Sequence, residues 1–258
     1  MEDMYAFMEQ YLEEDFEVES VLKESPRGTV TKLRQRASHR RYICRRYLEK
    51  AEIYFHLLGK QCPYLPRVYE AAVENGRPDG RGGRRSTAGQ NIGTGQSSGR
   101  MIVLEEYVAG DTLSMLLQGG TLSEKETRKI CLQLCKALSV LHSLGWVHRD
   151  IKPENVVILG DRAVLIDYDA ARTFEADKDH DTRILGTVGY APPEQYGISE
   201  TDYRADIYAM GVLMNEMLTG QHPSRTLAKG KWGRIISRCT MIQPDKRYSS
   251  VIDLMEAM

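Results

Sequence analysis

At 258 residues the chain is long enough to bury a sizeable core as one large domain or two small lobes, and its 41% apolar and 28% charged residues are typical of a globular protein. A net charge of -1 indicates no nucleic-acid surface, although five Arg and one Asp concentrate positive charge in residues 76–100. No run of about 18 apolar residues occurs, and the acidic start is unlike a signal peptide, so we expect a cytoplasmic protein or the cytosolic part of a longer one.

The first part of the chain predicts a short amphipathic helix followed by a small antiparallel sheet. Alternating segments at 16–24, 29–36 and 40–47 predict three strands, the first two joined by the turn residues 25–28. Residues 47–59 then change to helical periodicity and end at Gly59.

Residues 76–100 contain eight Gly and almost no apolar side chains. Such a segment cannot repay the entropy of ordering, so we predict a flexible insertion ahead of a strand at 101–108. Gly93-Thr94-Gly95, with Gly99 four residues later, superficially matches a phosphate loop. The spacing is wrong by one residue and no apolar strand precedes it, which favours an ordinary loop.

The later part of the chain is predominantly helical. Ser123 and Glu126 form a capping-box pattern ahead of a periodic segment that stops at Gly145. Within it, Cys131 and Cys135 have the spacing of buried thiols, and five cysteines without a pairing framework indicate a reducing compartment.

Two further apolar segments complete the pattern. Residues 156–160 and 163–167 predict a strand pair around a Gly-Asp turn, and the nearly all-apolar 206–218 predicts a central buried helix. A strand-rich front and a helical back, with polar motifs between them, predict an α+β fold with two lobes around a cleft.

Residues 148–155, HRDIKPEN, lie between the long helix and the strand pair, in a loop held by rigid elements. The loop places a carboxylate (Asp150), an ammonium (Lys152) and a carboxamide (Asn155) close together, as needed to hold a hydroxyl, balance phosphate charge and bind Mg²⁺. Asp167 follows the strand pair, which returns it to the side of this loop. We therefore expect Asn155 and Asp167 to share the metal.

These motifs resemble the protein kinase family, and the resemblance covers nearly the whole chain. HRDIKPEN matches the catalytic loop in its serine/threonine form, and Asp-Tyr-Asp at 167–169 stands at the Asp-Phe-Gly motif. GTVGYAPPE ends at Glu194 like the Ala-Pro-Glu segment, and DIYAMG matches the buried helix with its Asp206. Arg247 matches the late arginine that pairs with that glutamate.

The resemblance implies a two-lobed fold, with residues 1–107 as the N-lobe and 108–258 as the C-lobe, and it assigns roles to the loop. Asp150 accepts or orients the proton of the substrate hydroxyl, and Lys152 steadies the transferring phosphoryl group. Thr187 matches the threonine of the substrate-docking segment. A phosphate on Thr182 is expected to pair with Arg149 and to order that segment.

The implied ATP site is less regular than the family pattern. Lys23 and Ser25 replace the first two glycines of the phosphate loop, which leaves Gly28. The resemblance assigns nucleotide binding to Leu22, Ser25, Gly28, Val30, Ile43, Arg45, Glu52, Glu106, Val108 and Val157.

Arg45 stands at the family's lysine position and Ile43 at its alanine position, where the extra bulk narrows the adenine pocket. The carboxylate partner of Arg45 is expected to be Glu52, or Glu49 one turn earlier, although both also fit solvated helix charges. Glu105 falls at the position that controls the rear pocket, where an acid is unusual.

Backbone at 106–108 is expected to face adenine, and Asp111 is a weak candidate for the ribose. Tyr168 keeps an aromatic body at the phenylalanine position. Asp169 replaces the glycine, and it either adds a ligand near the metal or faces solvent.

The sequence thus predicts a compact serine/threonine kinase of bacterial style that uses ATP and Mg²⁺, or Mn²⁺, to phosphorylate a protein. The alternative is a pseudokinase, a nucleotide-binding or scaffold module with little phosphotransfer, which the replacements at Ser25, Ile43, Arg45 and Asp169 favour. A small-molecule phosphotransferase of the same fold is the third possibility, and the docking-type motifs around Glu194 and Arg247 argue against it.

Overall fold

A computed structural model of the protein describes residues 4–74, 99–173, 189–192, 195 and 202–258. The chain forms two compact units, Met1–Lys60 with Arg67–Tyr107 and Gln61–Pro66 with Val108–Met258. The first is built on an antiparallel sheet and the second mainly on helices, which confirms the predicted α+β fold.

The described residues of the first unit form a five-stranded sheet and two helices, and the strands follow the order β1-β2-β3-β5-β4 with every neighbouring pair antiparallel. Its elements are α1 (Met4–Asp15), β1 (Phe16–Ser25), β2 (Gly28–Gln35), β3 (Arg41–Tyr47), α2 (Ile53–Leu57), β4 (Val68–Val73) and β5 (Met101–Glu106).

The two faces of this sheet have different neighbours. Helix α1 buries Tyr5, Met8 and Leu12 in one core cluster with Leu33, Cys44, Ala72, Ile102 and Leu104 of the sheet. Because successive side chains of a strand point to opposite faces, Ile43 and Arg45 of β3 lie on the other face. Strand register places Val103 opposite Arg45 and Glu105 opposite Ile43 on that same face.

The predicted opening helix, the three strands and the first turn are confirmed, whereas the helix predicted at 47–59 is shorter. Strand β3 continues to Tyr47, and the amide of Leu48 still donates to the Arg27 carbonyl at 2.9 Å, so the chain is held at the sheet before it turns. Helix α2 therefore spans only Ile53–Leu57, and Gly59 follows it in a left-handed conformation at φ 74°.

The second unit contains five helices and five strands within the described residues. These are β6 (Asp111–Thr112), α3 (Leu113–Leu117), α4 (Glu124–Ser143), β7 (Trp146–Val147), β8 (Val156–Leu159), β9 (Arg162–Leu165), β10 (Arg172–Thr173), α5 (Arg204–Thr219), α6 (Gly230–Cys239) and α7 (Val251–Ala257), with 3₁₀ turns at Pro153–Asn155 and Pro244–Lys246. Strands β6, β8 and β9 form one small sheet, and β7 pairs with β10.

Helix α4 confirms the capping prediction. The Ser123 hydroxyl accepts from the Glu126 amide at 3.3 Å, and the Glu126 carboxylate accepts from the Ser123 amide at 3.0 Å. Cys131 and Cys135 are fully buried free thiols, as predicted, and burial raises the pKa of Cys135 to about 12.

Helix α5 is buried along most of its length, which confirms the central helix predicted from its apolar sequence. Of the predicted insertion at 76–100, only the last two residues belong to the described part of the chain. There Arg100 forms a two-bond ion pair with Glu74, at 2.7 Å for each bond. Among the described helices, none is both long enough and apolar enough to cross a bilayer.

Candidate active site

The HRDIKPEN loop connects β7 to β8 and ends in the 3₁₀ turn Pro153–Asn155. Within it, the predicted catalytic groups lie together. Lys152 Nζ is 2.8 Å from Asp150 Oδ2, and Asn155 Nδ2 donates to the same oxygen at 2.9 Å and to the Asp150 carbonyl at 2.8 Å. The Asp150 carboxylate thus contacts both the Lys152 ammonium and the Asn155 amide.

The hydrogen bonds of Asn155 determine which end of its side chain can bind a cation. A backbone carbonyl only accepts, so the amide nitrogen must face Asp150, and both of its N–H groups are used there. The amide oxygen is directed away from Asp150. An oxygen donor in this position fits a hard cation such as Mg²⁺.

Asp167 is connected to Asn155 through the backbone. Val156 pairs with Leu165 across β8 and β9, and the Ile166 amide donates to the Asn155 carbonyl at 2.9 Å. Asp167 is the next residue, so the strand pair returns it to the catalytic loop as predicted. Among the described residues, His, Cys, Asp and Glu form no group of three that could hold a metal.

Two residues of this region have strained backbones. Arg149 has φ 68° and Asp167 has φ 67°, in the left-handed region that residues with a side chain rarely adopt. The Asp169 amide donates to Asp167 Oδ1 at 3.3 Å, a local contact that helps to hold the turn. Such strain persists only where neighbours impose it, and it is common at active sites.

Asp206 of α5 imposes part of this conformation. Its carboxylate accepts from the amides of His148 and Arg149, at 2.9 and 2.8 Å, and lies 2.8 Å from His142 Nε2 of α4. The carboxylate is fully buried. It therefore anchors the two residues before Asp150 to the buried helix.

The pKa values of two buried groups beside the loop, Asp206 and His148, are both held below their ordinary values. Burial alone would raise the pKa of Asp206, but hydrogen bonds from His142 and the His148 amide hold it below its ordinary value. Burial lowers the pKa of His148, which favours the neutral imidazole, although Asp206 and Asp150 act in the opposite sense. Asp206 is therefore the stable anion of this cluster.

In the first unit, the predicted nucleotide residues divide into an exposed and a buried group. Leu22 and Ser25 are exposed, and the Ser25 hydroxyl donates to the Gly28 carbonyl within the β1–β2 turn. A Cβ at Gly28 would lie 1.9 Å from the Arg46 carbonyl oxygen, so the pairing of β2 with β3 already requires glycine there. Val30 and Ile43 are buried on the face that carries Arg45.

Arg45 pairs with Glu105, a residue to which the sequence assigned no such role. Arg45 Nε donates to Glu105 Oε1 at 2.7 Å, and both side chains are almost completely buried. Glu52, which the family resemblance assigned as the partner with Glu49 as the alternative, is largely exposed and accepts from Lys50 at 2.9 Å. Glu106 lies at the end of β5 and accepts from the Arg67 amide.

Residues 90–258 match the family model described as protein kinase domain. The chain belongs to the protein kinase family. The match starts inside the segment between β4 and β5, so the irregular phosphate loop and Arg45 precede the matched region. Proteins of this family generally use ATP and Mg²⁺.

Curated relatives include bacterial serine/threonine kinases. The chain is 31% identical over 188 residues to serine/threonine-protein kinase PknA of Nostoc sp., which covers 63% of this chain and 33% of the relative. It is 36% identical over 132 residues to serine/threonine-protein kinase A of Synechocystis sp., covering 46% and 25% respectively. It is 37% identical over 134 residues to PknD of Mycobacterium tuberculosis, covering 51% and 20%. The matches thus span a third or less of the length of these kinases.

The remaining kinase positions are distributed as follows. Val108 and Val157 share a small core cluster with Val164 in the second unit. Buried Arg247 donates to the carbonyls of Met241, Ile242 and Arg204, at 2.8, 3.1 and 3.0 Å. Three predicted positions, Thr182, Thr187 and Glu194, lie outside the described residues.

Two contributors to this kinase site carried no recognisable signal in the sequence. His142 belongs to the apolar pattern of α4, yet its ring reaches Asp206. Buried Gln195 donates from Nε2 to the Arg149 carbonyl at 3.1 Å and so supports this strained residue of the loop from another segment. Glu105 could have been found from strand register, since an acid and a base face the same side of two apolar strands.

Proposed function

We propose that the chain is a cytoplasmic serine/threonine protein kinase that transfers the γ-phosphate of ATP to a protein hydroxyl. The observation that carries this proposal is the hydrogen-bonded set Asp150, Lys152 and Asn155, joined through the Ile166–Asn155 backbone bond to Asp167. Family membership supports the reaction class, and the odd number of cysteines supports a reducing compartment.

Asp150 is the acceptor for the substrate proton. As the hydroxyl oxygen bonds to the γ-phosphorus, the bond from that phosphorus to the bridging β,γ-oxygen breaks, ADP leaves with the electron pair, and the hydroxyl proton passes to Asp150. Lys152, 2.8 Å from the carboxylate, carries the positive charge that balances the transferring phosphoryl group. This reaction depends mainly on positioning, which the anchored loop provides.

Asn155 and Asp167 are the residues that would hold the metal. Their carboxamide and carboxylate oxygens are donors that Mg²⁺ prefers, and Mn²⁺ accepts the same set. A divalent cation bound there would neutralise part of the negative charge of the phosphate groups. The protein's own contribution is to hold both oxygens beside the catalytic loop through the β8–β9 pair.

The proposal is tested by phosphotransfer from labelled ATP to casein and to the chain itself, with Mg²⁺ or Mn²⁺. Asp150→Asn removes the proton acceptor while keeping the side chain's shape, so the rate should fall by ~10²–10⁴-fold. Asp161→Asn is the matched control, because Asp161 also pairs with a lysine, Lys129, but on an exposed turn. The control should retain the activity of the unmodified chain.

Equal incorporation by the Asp150→Asn variant and the unmodified chain would contradict the proposal. Nucleotide binding without transfer above the Asp150→Asn background, with either metal, would instead support the pseudokinase alternative.

A further inference from the structure

The loop of residues 220–228 follows α5 and is bonded to that helix through a buried amide side chain. Asn215 of α5 donates from Nδ2 to the carbonyls of Gln221 and Thr226, at 2.7 Å each. Its Oδ1 accepts from the Ala228 amide at 2.9 Å. Asn215 is completely buried, so breaking these bonds would leave its amide unsatisfied in the core. Helix α5 therefore holds the loop at three points.

His222 lies between two of these points, and its ring is bonded at both nitrogens. Nε2 is 2.9 Å from the Gly189 carbonyl oxygen, and Nδ1 is 2.7 Å from Ser224 Oγ and 3.2 Å from the Ser224 amide nitrogen. A carbonyl only accepts, so Nε2 carries a proton and donates to Gly189, while Nδ1 of the neutral imidazole accepts from Ser224. These bonds fix the ring and direct its donor at the Gly189 carbonyl.

Gly189 belongs to residues 186–194, GTVGYAPPE, which the kinase resemblance assigns to docking of the protein substrate and which we call the docking segment. Its φ of 97° lies in the region that favours glycine, and a Cβ there would meet no atom of the described residues within 4 Å. Directly after the segment, Gln195 donates to the Arg149 carbonyl at 3.1 Å. A glycine has no side chain to hold its own turn, so the backbone at Gly189 depends on bonds from neighbouring segments.

We propose that His222 is a positioning residue that holds the docking segment in the conformation that receives the protein substrate. This inference rests on the proposed function, since it takes the segment around Gly189 as the place where that substrate docks. Asp206 anchors the catalytic loop through separate hydrogen bonds. Loss of the His222 bond should therefore weaken binding of the acceptor protein without changing the chemical step.

Steady-state phosphotransfer tests this role, with dephosphorylated casein as the acceptor, or the Asp150→Asn variant of the chain where casein is not accepted. His222→Ala removes the donor to Gly189, and one net hydrogen bond corresponds to about 3- to 10-fold in affinity, so KM for the acceptor should rise by that factor. The kcat value and KM for ATP should not change. His222→Gln can place an amide N–H near the position of Nε2, so its KM for the acceptor should lie within about 2-fold of the unmodified chain.

Gln221→Ala is the matched control on the same loop. The Gln221 side chain accepts from the Thr226 hydroxyl at 2.7 Å, so this variant also loses one exposed hydrogen bond but keeps the contact with Gly189. Its KM for the acceptor should equal that of the unmodified chain. A merely structural defect lowers the amount of folded protein, so it would reduce the apparent kcat without raising KM.

Hydrogen exchange followed by mass spectrometry tests the contact without catalysis. Loss of the His222 bond should speed exchange of the amides at 189–191 in His222→Ala, because the segment then opens more often. His222→Gln and Gln221→Ala should exchange at the rate of the unmodified chain.

The outcomes separate this inference from the proposed function. An unchanged KM for the acceptor in His222→Ala, or a fall in kcat alone, overturns the role of His222 even where phosphotransfer is observed, as does a His222→Gln variant that behaves like His222→Ala. If the unmodified chain transfers no phosphate while exchange near Gly189 rises only in His222→Ala, the positioning of the segment stands and the kinase activity does not. Unchanged exchange in His222→Ala overturns the positioning whatever the activity.

Discussion

At the scale of single residues, Asp206 shows how a buried charge can determine the shape of a catalytic loop. The carboxylate accepts from the His148 and Arg149 amides. Arg149, which directly precedes Asp150, has a left-handed backbone conformation. An amide hydrogen bond to a charged group contributes about 1.5–3 kcal/mol, enough to offset a strained residue at about 1–3 kcal/mol.

Asp206→Asn should therefore destabilise the protein and lower phosphotransfer. The asparagine has one acceptor oxygen for two amides, and its own N–H groups would face a donor, so we expect a loss of about 2–4 kcal/mol in the free energy of unfolding. Urea unfolding measures the loss. Asp245→Asn is the control, because Asp245 is exposed and its contact with Arg204 is a long one, at 3.9 Å. This variant should change the free energy of unfolding by less than about 0.5 kcal/mol. Equal stability of both variants would contradict the anchoring role.

Residue roles could be predicted from the sequence where the interacting groups are close in the chain. Asp150, Lys152 and Asn155 lie within one short loop, so their order already indicated their contacts. The Arg45–Glu105 pair joins residues 60 positions apart and depends on the register of β3 against β5. The family resemblance assigned Glu52 or Glu49 as the partner of Arg45, whereas the partner across the sheet depends on the register in which the two strands pair.

At the scale of elements, the predicted helix boundaries were confirmed where a local hydrogen bond defines the end of the helix. The capping box places the start of α4 after Ser123, and Gly145, at φ 81°, follows its last turn. Helix α2 was predicted too long because apolar periodicity alone does not show that residues 47 and 48 are still bonded to the sheet.

Ser123→Ala tests the energetic weight of that cap. The variant loses the side-chain acceptor for the Glu126 amide, so unfolding free energy should fall by about 1 kcal/mol, which corresponds to a decrease of about 2–4 °C in Tm. Ser143→Ala is the control at the other end of the same helix, where the hydroxyl donates to the Val140 carbonyl, and it should shift Tm by less than about 1 °C. Similar shifts for both serines would show that the capping box contributes nothing particular to α4.

At the scale of the whole molecule, ionisable and functional groups are divided between the two units. The nucleotide candidates of the sheet and the Arg45–Glu105 pair belong to the first, while the catalytic loop and Asp206 belong to the second. Both tryptophans, Trp146 and Trp232, also belong to the second unit. Tryptophan fluorescence therefore reports unfolding of the unit that carries the catalytic loop.

Acidification should destabilise this second unit through His148. Burial holds the pKa of His148 below its unfolded value of about 6.5, so the unfolded chain binds the proton first and stability falls as the pH drops from about 6.5 toward the folded pKa. Asp206 also destabilises the protein on acidification, but at lower pH. Its pKa in the folded state is depressed, so its contribution to the free energy of unfolding is lost as the pH falls through that value.

Fluorescence-detected urea unfolding at pH 7.5, 6.5 and 5.5 measures this effect. The unmodified chain should lose unfolding free energy between pH 6.5 and pH 5.5, and His148→Gln, whatever its stability at pH 7.5, should lose less over the same interval because it cannot be protonated. His222→Gln removes a partly exposed histidine of the same unit and should keep the pH dependence of the unmodified chain. Identical pH dependence in the unmodified chain and the His148→Gln variant would show that burial of His148 does not govern the acid response, and the anion at Asp206 would then have to account for it alone.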